Sequence, residues 1–136
     1  MASDSAPRAS FKFSIAPWLS VRDSERAVEF YKSAFGAVET YRHEADGGVV
    51  ARLSVNGAEF WVSPASLEHG SSGPESVGGG SVRMILTVPD PDAYFARALK
   101  AGATQVYPVA EEHGWRLGRV VDPFGLHWEI GHQLAG

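Results

Sequence analysis

The sequence contains no cysteine, which excludes disulfides, thiolate metal sites and cysteine nucleophiles and suits a reducing compartment. It has no apolar run long enough to span a bilayer, and Met1 to Ser10 lacks the apolar core of a signal peptide. The formal net charge is -4, and acidic and basic residues are interspersed, so the sequence has no basic block of the kind that marks a nucleic-acid binder. We therefore predict a cytoplasmic protein that binds neither nucleic acid nor membrane.

What the sequence does contain is an internal repeat with an offset of about 67 residues. Asp23 opens an amphipathic segment that stops at Gly36, and Asp90 opens a second one that stops at Gly102. Aspartate is a preferred helix N-cap and glycine a preferred helix stop, so both segments are predicted to be helices. Each helix is preceded by one apolar strand and followed by three.

The two copies define the domain organisation that we predict. Residues 1–10 form a disordered tail, residues 11–66 and 81–133 form two βαβββ modules, and residues 67–80 form a linker rich in glycine and serine. The first strand is expected from Phe11 to about Val21, although Pro17 removes a ladder donor and implies an edge or a bulge. Neither module is large enough to enclose a core alone, so the two together form one α+β domain.

Tight turns join the last strands of each module. Asn56-Gly57 is a typical hairpin turn, and residues 122–125, Asp-Pro-Phe-Gly, are interpreted as a turn in which Asp122 accepts backbone donors. Serine is plentiful, but the G-x-S-x-G elbow of a hydrolase is absent.

Three segments carry a family resemblance: APWLSVRDSERAVEFYKSAFGA, VPDPDAYFARALKAGAT and GRVVDPFGLHWEIG. Together they resemble the vicinal oxygen chelate superfamily of glyoxalases, bleomycin-resistance proteins and extradiol dioxygenases, and within it the PhnB-like branch. The resemblance covers about residues 15–131. It implies two tandem βαβββ modules whose sheets curl around a cleft, usually in a homodimer with two equivalent clefts.

The resemblance also implies where a metal would bind in this superfamily. Its ligand positions fall on Ala16, Trp61, Arg83 and Glu129. Alanine has no donor atom, and a guanidinium is permanently cationic and repels a metal ion. One ligand-type residue of the four cannot hold a metal, so we expect neither a metal nor another cofactor.

Two alternatives for a metal site stay open. If the alignment slips, Glu59 lies on the same strand face as Trp61 and supplies one more carboxylate. A different cluster is also conceivable, formed by His43, His113, His127 and Glu129.

We predict a ligand-binding site formed by six residues: Trp18, Trp61, Arg83, Trp115, His127 and Glu129. Trp61 and Arg83 are placed in the cleft by the resemblance, and strand alternation puts His127 and Glu129 on one face. The structural alternative is that the tryptophans are core residues and that Arg83 neutralises Glu129 as a buried pair. Arg116 and Arg119 lie on opposite faces of one strand, and the sequence does not decide which of them reaches the cleft. No catalytic residue is assigned.

The predicted function is binding or sequestration of an aromatic, charged small molecule without a metal. The alternative within the same superfamily is a divalent-metal-dependent lyase, isomerase or dioxygenase. A purely structural dimerisation module is the third hypothesis, and it gives no reason for a charge pair in the cleft.

Overall fold

The computed structural model of the protein describes residues 13–65 and 82–135. The first module consists of β1 (Trp18–Val21), α1 (Ser24–Phe35), β2 (Val38–Ala45), β3 (Gly48–Val55) and β4 (Ala58–Pro64). The second consists of β5 (Met84–Thr87), α2 (Pro91–Ala101), β6 (Thr104–Glu112), β7 (Trp115–Val121) and β8 (His127–Gln133). The predicted tail and linker lie outside the described residues.

Each module forms its own four-stranded sheet. The strand orders are β1-β4-β3-β2 and β5-β8-β7-β6, with the first two strands of each order parallel and the others antiparallel. The predicted α+β fold of two βαβββ modules is therefore confirmed. The strand registers also show which residues of the two copies correspond. Trp18 pairs with Trp61 in the first sheet and Ile85 pairs with Glu129 in the second, so Trp18 corresponds to Ile85 and Trp61 to Glu129.

The predicted start of the first strand at Phe11 is wrong for the part that is described. Residues 13–17 have no strand structure, and the side chains of Phe13 and Ile15 are fully exposed. Proline lacks the backbone N–H that a ladder needs. Pro17 takes part only through its carbonyl, which accepts a 2.8 Å hydrogen bond from the Trp61 N–H before β1 begins.

Both helices begin and end where the sequence predicts. The Asp23 carboxylate accepts the Arg26 N–H at 3.1 Å, and the Asp90 carboxylate accepts the Ala93 N–H at 3.2 Å. These bonds satisfy backbone donors that have no partner inside the first helical turn. Gly36 ends α1 in the left-handed region with φ of 71°, a conformation that favours glycine.

One core joins the two modules on the helix side of the sheets. Trp128 of β8 is buried, and its ring lies 4.9 Å from that of Phe35 in α1 and 5.5 Å from that of Phe60 in β4, between ring centroids. Trp128 therefore packs against α1 on the helix side of the second sheet. No helix in the described residues is both long and apolar enough to cross a membrane.

Asp122 lies at the centre of this junction. Its carboxylate accepts the N–H groups of Phe124 and Leu126, the indole N–H of Trp128 and the hydroxyl of Tyr31 from α1. Burial raises the pKa of Asp122, although the four hydrogen bonds favour its charged form. The predicted turn is confirmed, and Asp122 also ties the second module to the first.

Candidate functional site

Each sheet has one face covered by its helix and one face left open. In β3, for example, Val49, Ala51, Leu53 and Val55 are buried while the residues between them are not. Residues on the opposite face of each sheet therefore form two open faces. The first open face comprises Trp18, Tyr41, Arg52, Glu59, Trp61 and Ser63, and the second comprises Arg83, Ile85, Tyr107, Trp115, Leu117, Arg119, His127 and Glu129.

Aromatic rings dominate the first open face. Trp18 stacks on Trp61 with ring centroids 5.5 Å apart and planes at 20°. The Trp18 indole N–H donates to Ser63 Oγ at 2.8 Å, which fixes the ring on the sheet. Tyr41 approaches the Trp61 ring with its centroid at 5.6 Å, and the Arg52 guanidinium lies 5.4 Å from the same ring centre. Trp61 is thus surrounded, whereas Trp18 is 55% exposed.

An ion pair marks the second open face. Arg83 Nε lies 3.0 Å from Glu129 Oε2, and the Arg83 side chain is 50% exposed while that of Glu129 is 19% exposed. Arg119 stands directly across from Glu129 in the β7–β8 register, and Tyr107 stands directly across from Arg119 on β6. The guanidinium of Arg119 lies 5.6 Å from the centre of the Tyr107 ring.

His127 belongs to the same group of side chains. Arg119 Nε donates to His127 Nδ1 at 3.1 Å, so the neutral ring carries its own proton on Nε2. Burial is the largest cause that lowers the pKa of His127, and the charges of Arg119 and Arg83 lower it further. The ring is therefore neutral at physiological pH and presents a hydrogen-bond donor.

The second open face also contains cavities with mostly apolar walls. One of them, about 580 Å³, has a lining that includes Tyr107, Glu112, His113, Trp115, Leu117 and Glu129. A second cavity of about 220 Å³ is lined by Ile85, Trp115, Leu117, Glu129 and Gly131. Where the modules meet, Arg83 and Glu59 line a further cavity of about 390 Å³ whose floor includes Trp128.

The six predicted site residues form two groups. Trp18 and Trp61 stack on the first open face, whereas Arg83, His127, Glu129 and Trp115 lie together on the second. Among the described residues, no ring contact or ion pair joins one group to the other. The interpretation of tryptophans as core residues holds for Trp128 and is wrong for the exposed Trp18.

The structure also decides between the two arginines of β7. Arg116 binds Asp92 of α2 at 2.8 Å on the helix side, so Arg119 is the one on the open face. Tyr41 and Tyr107 are not among the predicted site residues. A β-bulge precedes each of them, and it sets which face of the sheet the side chain occupies. The position of a bulge depends on how two strands pair, and no single residue in the sequence marks it.

The residues present do not fit the metal centre that the superfamily implies. In the parallel strand pairs, Trp18 stands opposite Trp61 and Ile85 stands opposite Glu129, so Trp61 and Glu129 occupy equivalent positions in the two modules. Ala16 and Arg83 are also equivalent, because each lies two residues before Trp18 or Ile85, respectively. Of these four, only Glu129 is a ligand type, and its carboxylate is paired with Arg83. In the part of the chain that the structure describes, no three His, Asp or Glu side chains are arranged to hold a metal ion. The alternative cluster of His43, His113, His127 and Glu129 therefore does not form.

The fold and these open faces define a glyoxalase/bleomycin-resistance type of protein. The family model of the glyoxalase-like domain matches residues 18–130, and the chain belongs to this family within the vicinal oxygen chelate superfamily.

Similar proteins occur in bacteria and plants. The Mycobacterium bovis protein Mb0911c is 41% identical over 126 residues, which cover 88% of this chain and 83% of that protein. The crystal structure of the Arabidopsis thaliana At5g48480 product is 35% identical with a TM-score of 0.72, covering 90% of this chain and 100% of that one. TioX from Micromonospora sp. ML1 is 28% identical with a TM-score of 0.71 and the same coverage.

Proposed function

We propose that the protein binds or sequesters an aromatic, charged small molecule and does so without a metal. The observation that carries this proposal is the ion pair between Arg83 and Glu129 at 3.0 Å. It places a fixed cation on the one carboxylate that stands at a ligand position of the superfamily. A cation at that position favours a charged organic group over a metal ion. We assign the protein to the PhnB-like branch on the motifs quoted above.

Aromatic surface supports the choice of ligand. Trp18 offers an exposed ring whose orientation is fixed by Trp61 behind it and by Ser63. Trp115 and Tyr107 line a cavity of about 580 Å³, a volume within the range of sites that hold drug-sized ligands. A ring fixed before binding loses little entropy when a ligand stacks on it.

We further propose that the protein is a cytoplasmic homodimer with two equivalent clefts. Both open faces expose large apolar or aromatic side chains, among them Trp18, Tyr41, Ile85 and Tyr107. A second copy that packs against the edges of these faces would enclose them as two clefts in every molecule and leave the rings inside accessible to a ligand. Sedimentation equilibrium should give twice the chain mass at micromolar concentration, and a monomer throughout the range would contradict the dimer.

The binding proposal is tested by calorimetric titration with a panel of aromatic antibiotics and aromatic acids. For each ligand that binds wild type, Trp18→Ala should lower the affinity about tenfold. Trp18→Phe, which keeps a ring, should retain most of the affinity. Equal affinities for wild type and Trp18→Ala would show that this face is not used.

Metal dependence is tested on protein purified without chelators. We expect no stoichiometric zinc, nickel, manganese or iron, and no thermal stabilisation by these ions. Near-equimolar metal that is lost in Glu129→Ala would instead establish the metal-dependent lyase, isomerase or dioxygenase.

A further inference from the structure

Arg119 differs from the other arginines within the strands of the described chain. Arg42, Arg52 and Arg116 each form an ion pair with at least one carboxylate. In residues 13–65 and 82–135, no carboxylate lies within ion-pairing distance of Arg119. Its contacts are the ring nitrogen of His127 and the face of Tyr107.

The surroundings of Arg119 contain more donors than acceptors. The row Tyr107, Arg119, Glu129 and Ile85 crosses the sheet in register, so neighbouring side chains are about 5 Å apart. Glu129 is the only carboxylate in the row, and Arg83 is already bound to it. The neutral His127 adds an N–H donor and no free acceptor, because its Nδ1 accepts from Arg119. The row and its neighbour Arg83 thus hold two guanidinium groups but one carboxylate, which is paired with Arg83 and not with Arg119.

An apolar cavity begins beside this excess of donors. Leu117 lies two residues before Arg119 on the same face of β7, which places it about 7 Å along the strand. Leu117, Trp115 and Tyr107 line the cavity of about 580 Å³. Two acidic residues line this cavity: Glu112, which stands opposite Trp115 at the end of the strand away from Arg119, and Glu129, whose carboxylate is already paired with Arg83. A ligand with one anionic end would therefore be oriented with that end towards Arg119.

We propose that Arg119, together with Arg83 and His127, forms an anion-binding site for the carboxylate of an aromatic carboxylic acid whose ring lies between Tyr107, Leu117 and Trp115. This inference rests on the proposed function and specifies the sign of the ligand's charge and its orientation. Arg119 holds the carboxylate through its guanidinium, because a planar fork of N–H donors matches a carboxylate. His127 donates from Nε2, and Glu129 keeps Arg83 in place.

The test uses 2-naphthoate and its neutral analogue 2-naphthamide, titrated into the full-length protein by calorimetry. Naphthoate should bind at least about tenfold more tightly than naphthamide, as a charge-assisted hydrogen bond provides. Arg119→Gln and Arg83→Gln should each remove that advantage and leave the affinity for naphthamide unchanged, which also shows that the variants are folded. Glu129→Gln should strengthen naphthoate binding, because it removes a competing negative charge while its amide oxygen can still accept from Arg83.

Arg116→Gln is the matched control, since Arg116 lies on the same strand but binds Asp92 on the helix side. It should leave the affinity for both probes unchanged. Equal binding of the two probes to wild type would overturn the anion site while leaving the aromatic proposal standing. Binding of neither probe would overturn the anion site, whereas the panel of aromatic antibiotics and acids tests the proposed function separately. If Arg119→Gln binds naphthoate as tightly as wild type does, Arg119 is not part of the site. The same conclusion holds if Arg116→Gln weakens naphthoate binding as much as Arg119→Gln does.

Discussion

The hydroxyl of Tyr31 donates a hydrogen bond to the carboxylate of Asp122 at 2.5 Å, and this bond joins α1 of the first module to the last turn of the second. Both side chains are buried. Because the carboxylate is shared with Trp128 and two backbone N–H groups of the turn, the contact links the position of α1 to the shape of the turn before β8.

Tyr31→Phe should lower the free energy of unfolding by about 1.5–3 kcal/mol, the value of a hydrogen bond to a charged group. The ring packing on Phe60 and Trp128 is kept in this variant, so the loss reports the hydroxyl alone. Urea denaturation measures it. Tyr94→Phe is the control, because no hydrogen bond of the Tyr94 hydroxyl is present in the described residues, and it should change stability by less than about 0.5 kcal/mol.

The same contact predicts alkaline lability. Burial, and then the charge of Asp122, raises the pKa of Tyr31 well above its ordinary value of 10.0. Above that pH the unfolded chain releases the Tyr31 proton while the folded protein keeps it. The contribution of this group to stability is therefore complete below pH 10 and falls by about 1.4 kcal/mol per pH unit above it. Denaturation curves at successive alkaline pH values should show this slope in wild type and a shallower one in Tyr31→Phe; parallel slopes would contradict it.

Much of the fold follows from local chemistry in the sequence. The caps Asp23 and Asp90 and the stop Gly36 satisfy or end a backbone pattern within a few residues of themselves, and the helix bounds were predicted correctly for that reason. The alternation of Phe13 and Ile15 predicts a strand there, and this prediction is wrong because the strand begins only after Pro17. A ladder needs a continuous series of donors, and alternation alone does not provide it.

The candidate site was predictable only in part, since its remaining features depend on register. A buried pair of Arg83 with Glu129 was the structural alternative predicted from the sequence; the pair is present, but the Arg83 side chain is 50% exposed. The position of Arg119 opposite Glu129 depends on how β7 pairs with β8, and that of Tyr107 depends on a bulge in β6. One partner of Asp122, Tyr31 of α1, lies 91 residues away, and the sequence around Asp122 carries no signal of it.

Replacement of Gly131 is predicted to disturb the second sheet directly. A Cβ at this position would lie 2.2 Å from the carbonyl oxygen of Arg116 and 2.4 Å from Leu117 Cβ. Backbone atoms cannot move aside cheaply, so Gly131→Ala should cost about 3 kcal/mol or more. Gly57→Ala is the comparison, because Gly57 has a φ of 99° but no atom within 4 Å of such a Cβ, and it should cost only about 1–2 kcal/mol. Equal losses in thermal or urea unfolding would show that β7 yields to the added methyl group.

The last prediction separates the two contacts that fix Trp18 on the first open face. Trp18 stacks on Trp61 and donates its indole N–H to Ser63 Oγ. Trp18→Phe retains a ring and removes the donor, so it should cost about 1 kcal/mol, the usual value of one hydrogen bond. Trp18→Ala removes both contacts and should cost about 0.5–1.5 kcal/mol more, as expected for an aromatic pair. Ser63→Ala in the Trp18→Phe background should then add little, because the hydroxyl has already lost its indole donor. Urea denaturation of the four proteins measures these terms. If Trp18→Phe and Trp18→Ala are equally stable, the stack contributes nothing to stability, and the exposed ring of Trp18 is held in place by Ser63 alone.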